Sequence, residues 1–396
     1  MITTPREDRD AFMVSVFTDF HRFLRAVWND RGLDKVAPLS DVELELADFI
    51  SGFDREAAEQ AADGLTARDL LEVVGGTTDI LTALPRRRIA LALRGFGKTT
   101  IIAALVCYRL GRDPNRKILI VSKNVGEAKK TIKLIKGWLE DIWFLRHLCP
   151  VKRLGDRDAS TYLDVRGAKK QRQPSVSCVG IEGQLEGNRA HTLIPDDIET
   201  KGNTKTFDAR QELSRLVGEF KNILYPHRPY SQGGPIDPVE IVFIGTPKHE
   251  ESVYFQRHRA GYILRSWPIA FPTPDQKVIN LSPLLTELLS RGQAKPGDPT
   301  LPHRFNREEI RERQSEGALE YAMESMLQSD LAVSMRYPLK LADLMVMDVP
   351  RDSAPLEVVY GTRDHNGSTV IEDLPSIGFG SDVLHRPAMI SKDHAP

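Results

Sequence analysis

Apolar residues recur at helical spacing near the start of the chain, where one face carries Phe12, Val16, Phe20, Phe23, Leu24 and Val27. This spacing predicts a single amphipathic helix from Ala11 to Trp28 that packs on a larger body. A second helix is predicted from about Val42 to Ile50. The Ala-rich stretch from Arg55 to Leu84, interrupted by several glycines, predicts a helical insertion.

From Ile89 onward the pattern changes to short apolar runs that alternate with helical stretches. Such alternation is typical of βαβ units around a buried, mainly parallel sheet. The fold class is therefore α/β, with helices flanking a central sheet. The predicted strands are Ile89 to Leu93, Lys117 to Ser122, Val176 to Ile181, His191 to Ile194 and Glu240 to Ile244.

The chain after Trp267 is mostly connection and helix. One helix begins near Asn306, because Asn306 and Glu309 have the spacing of a capping box. Periodicity fades beyond Tyr337, which suggests a linker. We expect four parts: a helical region (1–87), the α/β core (88–268), a helical lid subdomain (269–336) and the linker (337–396). Within the core, the proline-rich residues 225–238 predict a loop.

Composition indicates where the protein acts but not which reaction it catalyses. The 396 residues carry 54 Lys and Arg against 55 Asp and Glu, so overall charge offers no attraction for nucleic acid. The three cysteines, Cys107, Cys149 and Cys178, fit neither a disulfide framework nor a metal site, which favours a reducing compartment. We see no signal peptide and no apolar run of membrane-spanning length. We therefore expect a protein that acts inside a cell and not in a membrane.

The strongest motif is a glycine-rich loop, Ala92-Leu-Arg-Gly-Phe-Gly-Lys98-Thr99, between a predicted strand and a predicted helix. Glycines allow the backbone N–H groups to approach phosphates, and the helix N-terminus favours negative charge. Lys98 would hold the β and γ phosphates, and the Thr99 hydroxyl would ligate Mg²⁺. The strict pattern has glycine where this chain has Ala92. The predicted nucleotide-binding residues are Gly95, Phe96, Gly97, Lys98, Thr99 and Thr100.

Carboxylates follow a later apolar run at Asp196, Asp197 and Glu199. A hydrolytic ATPase needs one acid for the Mg²⁺ shell and another to polarise the attacking water. Asp196 fits the first role, and Asp197 and Glu199 both remain candidates for the second. A solvated acidic turn is the plainer alternative, and Pro195 weakens the strand prediction because proline lacks a ladder donor.

Three further residues are candidates for catalysis. Arg94 lies inside the glycine-rich loop, where its guanidinium would meet charge that develops on the γ phosphate. Arg189 precedes the acidic run and would act across a subunit interface, although for either arginine taken alone a surface ion pair is the better explanation. Thr246, in a Gly-Thr-Pro turn after a predicted strand, would bond the γ phosphate or its water; the same tripeptide is also an ordinary turn.

In order and spacing, these segments resemble the large terminase subunit of short-tailed podophages. The resemblance is carried by the glycine-rich loop, by Gly183-Gln-Leu-Glu-Gly187-Asn-Arg189-Ala, by Asp196-Asp197-Ile-Glu199 and by Ile244-Gly245-Thr246-Pro247. It implies a P-loop NTPase of the additional-strand catalytic-glutamate type, which uses ATP and Mg²⁺ to drive double-stranded DNA through a portal into a procapsid. The implied partners are the portal protein, the small terminase subunit and further copies in a pentameric ring, in the host cell cytoplasm.

The resemblance also implies a role for each matching residue. Lys98 and Thr99 would bind ATP and Mg²⁺, Asp196 would be the metal carboxylate, and Asp197 or Glu199 the catalytic one. Three residues would act around the phosphates: Arg94 as the loop arginine, Arg189 as the intersubunit arginine and Thr246 as part of the coupling motif.

Two departures from the family pattern stand out. The family's adenine-contacting glutamine is replaced near Glu43, and the helical insertion before Ile89 is unusual. The family's nuclease carboxylates would follow the linker, but the sequence stops at Pro396, and the pair Glu372-Asp373 within the linker is better explained as a turn. We therefore expect no nuclease activity from this chain.

A lysine stripe, formed by Lys129, Lys133 and Lys136, lies on one face of a predicted helix. It would grip DNA phosphates whatever the DNA sequence, although a solvated helix face is the better explanation of the stripe taken alone. Two other functions compete with packaging: a helicase-like translocase or nucleotide kinase, and an inactive fragment that only docks to a portal or to DNA.

Overall fold

The computed structural model describes residues 6–35, 38–53, 84–227, 237–274 and 276–328, together with short strands from Val358 onward. The chain divides into two compact units, Met1–Ser329 and Asp330–Pro396. The predicted insertion lies outside the described residues except for its last residue, Leu84. The pair Glu372-Asp373 and most of the proline-rich loop also lie outside them.

The described part of the first unit is built on an eight-stranded sheet in the order β3-β4-β5-β2-β6-β7-β1-β8. Its strands are β1 (Arg87–Ala92), β2 (Ile118–Ser122), β3 (Asp158–Ala159), β4 (Tyr162–Leu163), β5 (Val176–Gly180), β6 (Thr192–Asp196), β7 (Glu240–Gly245) and β8 (Ile263–Trp267). Neighbouring strands from β5 to β8 in this order run parallel, and the short β3 and β4 form an antiparallel edge.

All five predicted strands are confirmed, each within two residues at both ends. Side chains alternate between the two faces of the sheet. In β1, Ile89 and Leu91 belong to one buried cluster and Ala90 and Ala92 to the other. Because both faces are covered, these strands are continuous apolar runs, which made them recognisable in the sequence.

Helices cover both faces of the sheet. In chain order they are α1 (Arg6–Thr18), α2 (Phe20–Asp30), α3 (Asp41–Ser51), α4 (Lys98–Arg112), α5 (Val125–Asp141), α6 (Phe207–Gly218), α7 (Phe220–Ile223), α8 (Val253–Arg259), α9 (Pro283–Ser290), α10 (Arg307–Glu316) and α11 (Ala318–Glu320), followed by a π-helix, Tyr321–Ser325. The helix predicted from Val42 is α3, and the one predicted near Asn306 is α10, where Asn306 Oδ1 accepts a hydrogen bond from the Glu309 amide at 2.9 Å.

The first predicted helix is wrong in one respect, because the chain forms two helices there instead of one. Asp19 separates them with an extended backbone (φ −135°), and its side chain accepts a hydrogen bond from the His21 amide. An aspartate in this position caps a new helix, which competes with continuation of the old one. Apolar periodicity alone does not reveal such a break.

A cluster of buried charges lies beneath the amino ends of β1 and β7. Glu240 is fully buried and pairs with Arg88, with Arg109 at 3.2 Å and with Arg116 at 3.2 Å. Asp237 pairs with Arg109 at 2.6 Å. These guanidiniums keep the pKa of Glu240 low despite its burial, so the cluster remains ionised.

Among the residues that the structure describes, the second unit has three antiparallel pairs of short strands. The pairs are β9 (Val358–Val359) with β14 (Met389–Ile390), β10 (Thr362–Arg363) with β11 (Thr369–Val370), and β12 (Ser376–Phe379) with β13 (Asp382–His385). Across the residues that the structure describes, no helix combines the length and apolar character needed to cross a bilayer.

Candidate functional site

Three predicted site segments follow the carboxyl ends of β1, β6 and β7. These strands are adjacent and parallel, with Asp196 opposite Ile244 and Leu91 opposite Gly245. Parallel strands end at a common edge of the sheet, where ligands of open α/β sheets bind. The glycine-rich loop, the carboxylates and Thr246 therefore share one edge.

The phosphate loop (residues 93–98) turns sharply between β1 and α4. Gly95 and Gly97 have φ angles of 92° and 91°, a region that side-chain-bearing residues rarely adopt. Gly97 caps α4, so the helix N-terminus opens toward the loop. Ala92, which replaces a glycine of the strict motif, is the last residue of β1 and is not among the residues with positive φ, so alanine fits there.

Lys98 lies buried at the centre of the site. Its ammonium donates to the Ala92 carbonyl at 2.9 Å and to Thr246 Oγ1 at 2.7 Å, and lies 3.4 Å from Asp197 Oδ1. Thr246 in turn donates to the Ala92 carbonyl at 3.0 Å. One lysine thus joins the phosphate loop, the turn after β7 and the acidic segment after β6.

Asp196 and Asp197 differ in environment although they are adjacent. Asp196 is buried at the end of β6, and burial followed by the charge of Asp197 raises its pKa to about 7. Asp197 is half-buried, faces Lys98 and has a strained φ of 44°. Its amide donates to the Ile244 carbonyl at 2.9 Å, which helps to hold this conformation.

Glu199 points away from Lys98 and into the loop after β7. Its Oε2 accepts from the Lys248 amide at 2.9 Å, and its Oε1 accepts from Ser252 Oγ at 2.8 Å and the Val253 amide at 2.6 Å. Burial raises its pKa to about 7. The two candidates for the catalytic acid are thus separated: Asp197 contacts the loop lysine, and Glu199 anchors the start of α8.

The two candidate arginines lie at different edges of the sheet. Arg94 is exposed within the phosphate loop. Arg189 precedes β6 and donates to the Asn222 carbonyl, next to the bridge between Ala190 and Leu224. It is therefore at the amino edge, separated from the phosphate loop by the length of a strand, roughly 13 Å. From there Arg189 does not contact the phosphate loop of its own chain.

Pro195 forms part of β6, although its lack of an N–H weakened the strand prediction there. Its register with β2 is continuous, with Val121 opposite, but the register of β6 with β7 is interrupted at Ile194 and Pro195. The missing N–H therefore falls where the ladder is already broken, which is how a sheet tolerates proline.

Residues from the segment after β8, within the predicted lid subdomain (269–336), cover the phosphate loop, although no sequence pattern singled out Arg304, Phe305 or Arg313. A side chain added at Gly95 would meet Phe305 at 3.2 Å, and one added at Gly97 would meet Arg304 at 3.4 Å. Arg313 lies over the Phe305 ring and donates to the Arg94 carbonyl at 3.4 Å. Arg304 pairs with Glu43 at 2.6 Å.

The donor set suits magnesium held by few protein ligands. Thr99 is exposed at the first turn of α4, and Asp196 ends a neighbouring strand with Ser122 directly opposite. Ser122 Oγ and Asp197 Oδ1 are buried polar atoms without a hydrogen-bond partner among the described residues. Mg²⁺ typically keeps waters and phosphate oxygens as its remaining ligands. Across the described residues, no group of three or more His, Cys, Asp or Glu side chains is arranged to hold a metal ion.

The predicted lysine stripe lies on α5 but is only partly available. Lys129 and Lys133 are exposed, whereas Lys136 pairs with Asp158 and donates to the Ala159 carbonyl. Lys130, one position along, is exposed but pairs with Glu127 at 2.8 Å. Two lysines of the stripe therefore face solvent without an ion pair to another described residue.

The chain is 34% identical over 307 residues to the large subunit of the terminase of Enterobacteria phage T3. The chain is a relative of phage large terminase subunits. The aligned region covers 76% of this chain and 50% of the T3 protein, so the chain matches about half of the length of this large terminase. No model of a known protein family matches the chain.

Solved large terminases are also among its structural neighbours. The ATPase domain of the large terminase of Thermus phage P74-26 is 13% identical, with 66% of this chain and 98% of that chain covered and a TM-score of 0.34. The large terminase of a second thermophilic bacteriophage is 13% identical, with coverages of 52% and 45% and a TM-score of 0.29. The Phi-28 DNA packaging motor is 11% identical, with coverages of 81% and 78% and a TM-score of 0.27. Because these TM-scores are low, the description of the fold does not depend on these neighbours.

Proposed function

We propose that the chain is the ATP-hydrolysing part of a viral DNA-packaging motor, which couples hydrolysis to movement of double-stranded DNA into a procapsid. The observation that carries this proposal is the position of Lys98, in contact with Thr246 and Asp197 at one edge of the sheet. Sequence similarity to the T3 large terminase favours DNA packaging over other functions that use ATP hydrolysis.

In this mechanism Lys98 and the N-terminus of α4 bind the β and γ phosphates. Thr99 and Asp196 would hold Mg²⁺, which when bound would supply Lewis-acid stabilisation of charge on the phosphates. Asp197 orients the attacking water, because it is the acid that faces Lys98. Arg94, within the phosphate loop, stabilises negative charge that develops on the γ phosphate. Thr246 couples the nucleotide state of the site to β7, the strand that it follows.

Arg189 serves the nucleotide of a neighbouring subunit. Its position at the amino edge of the sheet supports action in trans within a homo-oligomeric ring, which we propose to be a pentamer. The ring would act in the host cell cytoplasm with the portal protein and the small terminase subunit. Lys129 and Lys133 are the proposed contacts to DNA phosphates.

The test is steady-state ATP hydrolysis with and without double-stranded DNA and with portal-bearing procapsids, for the wild-type chain and for Lys98→Ala. We expect hydrolysis that requires Lys98 and is accelerated by procapsids together with DNA. Acceleration by DNA alone, with no response to procapsids, would indicate a helicase-like translocase. A rate independent of Lys98 would contradict the proposal.

A further inference from the structure

Arg304, in the segment between α9 and α10, lies directly against the phosphate loop. A side chain added at Gly97 would come within 3.4 Å of Nη2 and within 3.6 Å of both Cζ and Nη1 of Arg304. All three atoms belong to the guanidinium, so the charged group itself faces the loop. Gly97 is also the residue that caps α4.

Glu43 fixes the orientation of this guanidinium. Its Oε1 accepts a hydrogen bond from Arg304 Nε at 2.7 Å and forms an ion pair with Nη2 at 2.6 Å. Its Oε2 accepts from the amide of Ser40 at 2.9 Å and from the Ser40 hydroxyl at 3.0 Å, and lies 3.2 Å from His303 Nε2. Glu43 is fully buried and belongs to the capping box of α3, so its carboxylate is held in place.

The third guanidinium nitrogen of Arg304, Nη1, does not contact Glu43. Nε donates a hydrogen bond to Glu43 and Nη2 forms an ion pair with it, whereas Nη1 makes no hydrogen bond to another described residue; Nη1 and Nη2 both approach Gly97. The Arg304 side chain is 20% exposed, so Nη1 is open to solvent or to an anion bound at the phosphate loop.

The charges around Gly97 point to an anion as the partner of Nη1. The N-terminus of α4 carries partial positive charge, and Lys98 follows Gly97 directly. Glu43 balances the charge of Arg304, and Asp197 lies 3.4 Å from the Lys98 ammonium. A bound phosphate chain would add acceptors for the N-terminus of α4, for Lys98 and for Nη1, since helix N-termini with converging N–H groups are anion sites.

We infer that Arg304 is a nucleotide-binding residue of this site and that Glu43 is its positioning residue. The inference rests on the proposed function, because it takes the phosphate loop to bind ATP. It assigns the segment after β8 a direct part in nucleotide binding, so that segment does more than cover the loop.

The experiment measures the affinity of the full chain for fluorescent methylanthraniloyl-ATP with Mg²⁺, before hydrolysis, and the ATPase kcat and KM. The variants are Arg304→Ala, Arg304→Lys, Glu43→Gln and the double variant Glu43→Gln/Arg304→Ala. Arg307→Ala is the matched control, because Arg307 starts α10 nearby but is exposed and pairs with Asp298. Thermal melting of each variant reports on folding.

We expect Arg304→Ala to weaken nucleotide binding about tenfold or more, the effect typical of a charge-assisted hydrogen bond, and to raise KM more than it lowers kcat. Arg304→Lys restores part of the affinity. Glu43→Gln weakens binding alone but adds little to Arg304→Ala, because it acts through Arg304. Arg307→Ala binds as the wild type does.

Two results would overturn the inference. One is unchanged affinity in Arg304→Ala while Lys98→Ala loses binding, which leaves the proposed function intact. The other is equal, additive losses from Glu43→Gln and Arg304→Ala that track a lower melting temperature, which would mark the pair as purely structural. Failure of the wild-type chain to bind nucleotide contradicts the proposed function, and the inference with it.

Discussion

The ammonium of Lys98 donates a hydrogen bond to the hydroxyl of Thr246, with 2.7 Å between Nζ and Oγ1. These residues are far apart in sequence and follow strands β1 and β7, which are neighbours in the sheet. The same ammonium donates to the Ala92 carbonyl at 2.9 Å. Phosphate binding would draw Lys98 toward the phosphates, which changes the partner of Thr246.

This relationship predicts that the Thr246 hydroxyl matters for turnover. Thr246→Val, which keeps the shape and removes the hydroxyl, should lower the ATPase kcat about 10- to 100-fold, the range for hydrogen bonds to charged groups. Thr246→Ser should retain most activity. Steady-state kinetics with a parallel measurement of nucleotide affinity checks both. Wild-type turnover in Thr246→Val would remove Thr246 from the mechanism.

The separation of Asp197 from Glu199 predicts different defects in their amide variants. Asp197→Asn should bind nucleotide normally but lose about 10²- to 10⁴-fold in kcat, because it can no longer orient and activate water. Glu199→Gln should mainly lower stability, by about 1 to 3 kcal/mol, because an acceptor for buried donors is lost.

The measurements for this pair are single-turnover hydrolysis and urea denaturation. Asparagine and glutamine are close in shape to the carboxylates they replace, so folding is tested at the same time. An active Asp197→Asn protein, together with a stable but inactive Glu199→Gln protein, would reverse the assignment of the catalytic acid.

The buried charge cluster predicts a large loss of stability when Glu240 is neutralised. Glu240→Gln leaves Arg88, Arg109 and Arg116 with less compensation, and breaking a buried pair costs about 3 to 5 kcal/mol. The midpoint of urea denaturation measures this loss. The control is Glu212→Gln, which removes an exposed partner of Arg215 and should leave the midpoint unchanged. Equal midpoints for the two variants would contradict the prediction.

The low pKa of His191 predicts that the folded protein loses stability in mild acid. Burial, and then the charges of Arg116 and Lys117, lower its pKa to about 4, whereas an unfolded histidine titrates near ~6.5. The folded protein therefore favours neutral His191, so the stabilisation is present above about pH 6.5 and is lost as pH falls toward 4. Neutral Nδ1 also accepts from the Lys117 amide at 3.0 Å.

The check is urea denaturation at pH 7 and pH 4.5. The wild-type midpoint should fall further between these values than that of His191→Gln, whose side chain does not titrate. Buried acids with low pKa values, such as Glu240, contribute the same acid loss to both proteins. Identical falls in the two proteins would show that His191 does not titrate in this range.

The sheet and the phosphate loop were predictable from the sequence because both leave local patterns. A strand buried on two faces is a continuous apolar run, and the phosphate loop needs glycines at Gly95 and Gly97. β8 was missed, since Arg265 interrupts a run of only five residues. The two-residue strands β3 and β4 are too short to leave a pattern.

The parts of the site that were missed arise from long-range packing. Arg304 reaches Gly97 only because the segment after β8 folds back over the loop, and nothing near Arg304 in the sequence signals this. The choice between Asp197 and Glu199 likewise depends on the turn at Asp197, which directs adjacent carboxylates to different neighbours. Spacing along one chain segment does not determine such directions.

The central claim is that the phosphate loop and the carboxylates after β6 meet around one magnesium triphosphate. The most direct measurement is a crystal structure with Mn²⁺ in place of Mg²⁺ and a non-hydrolysable ATP analogue, in which anomalous scattering locates the metal. The account predicts one ion between Thr99 and Asp196, with Lys98 at the β and γ phosphates. A nucleotide bound elsewhere, or an ion that contacts neither Thr99 nor Asp196 directly or through a water, would contradict it.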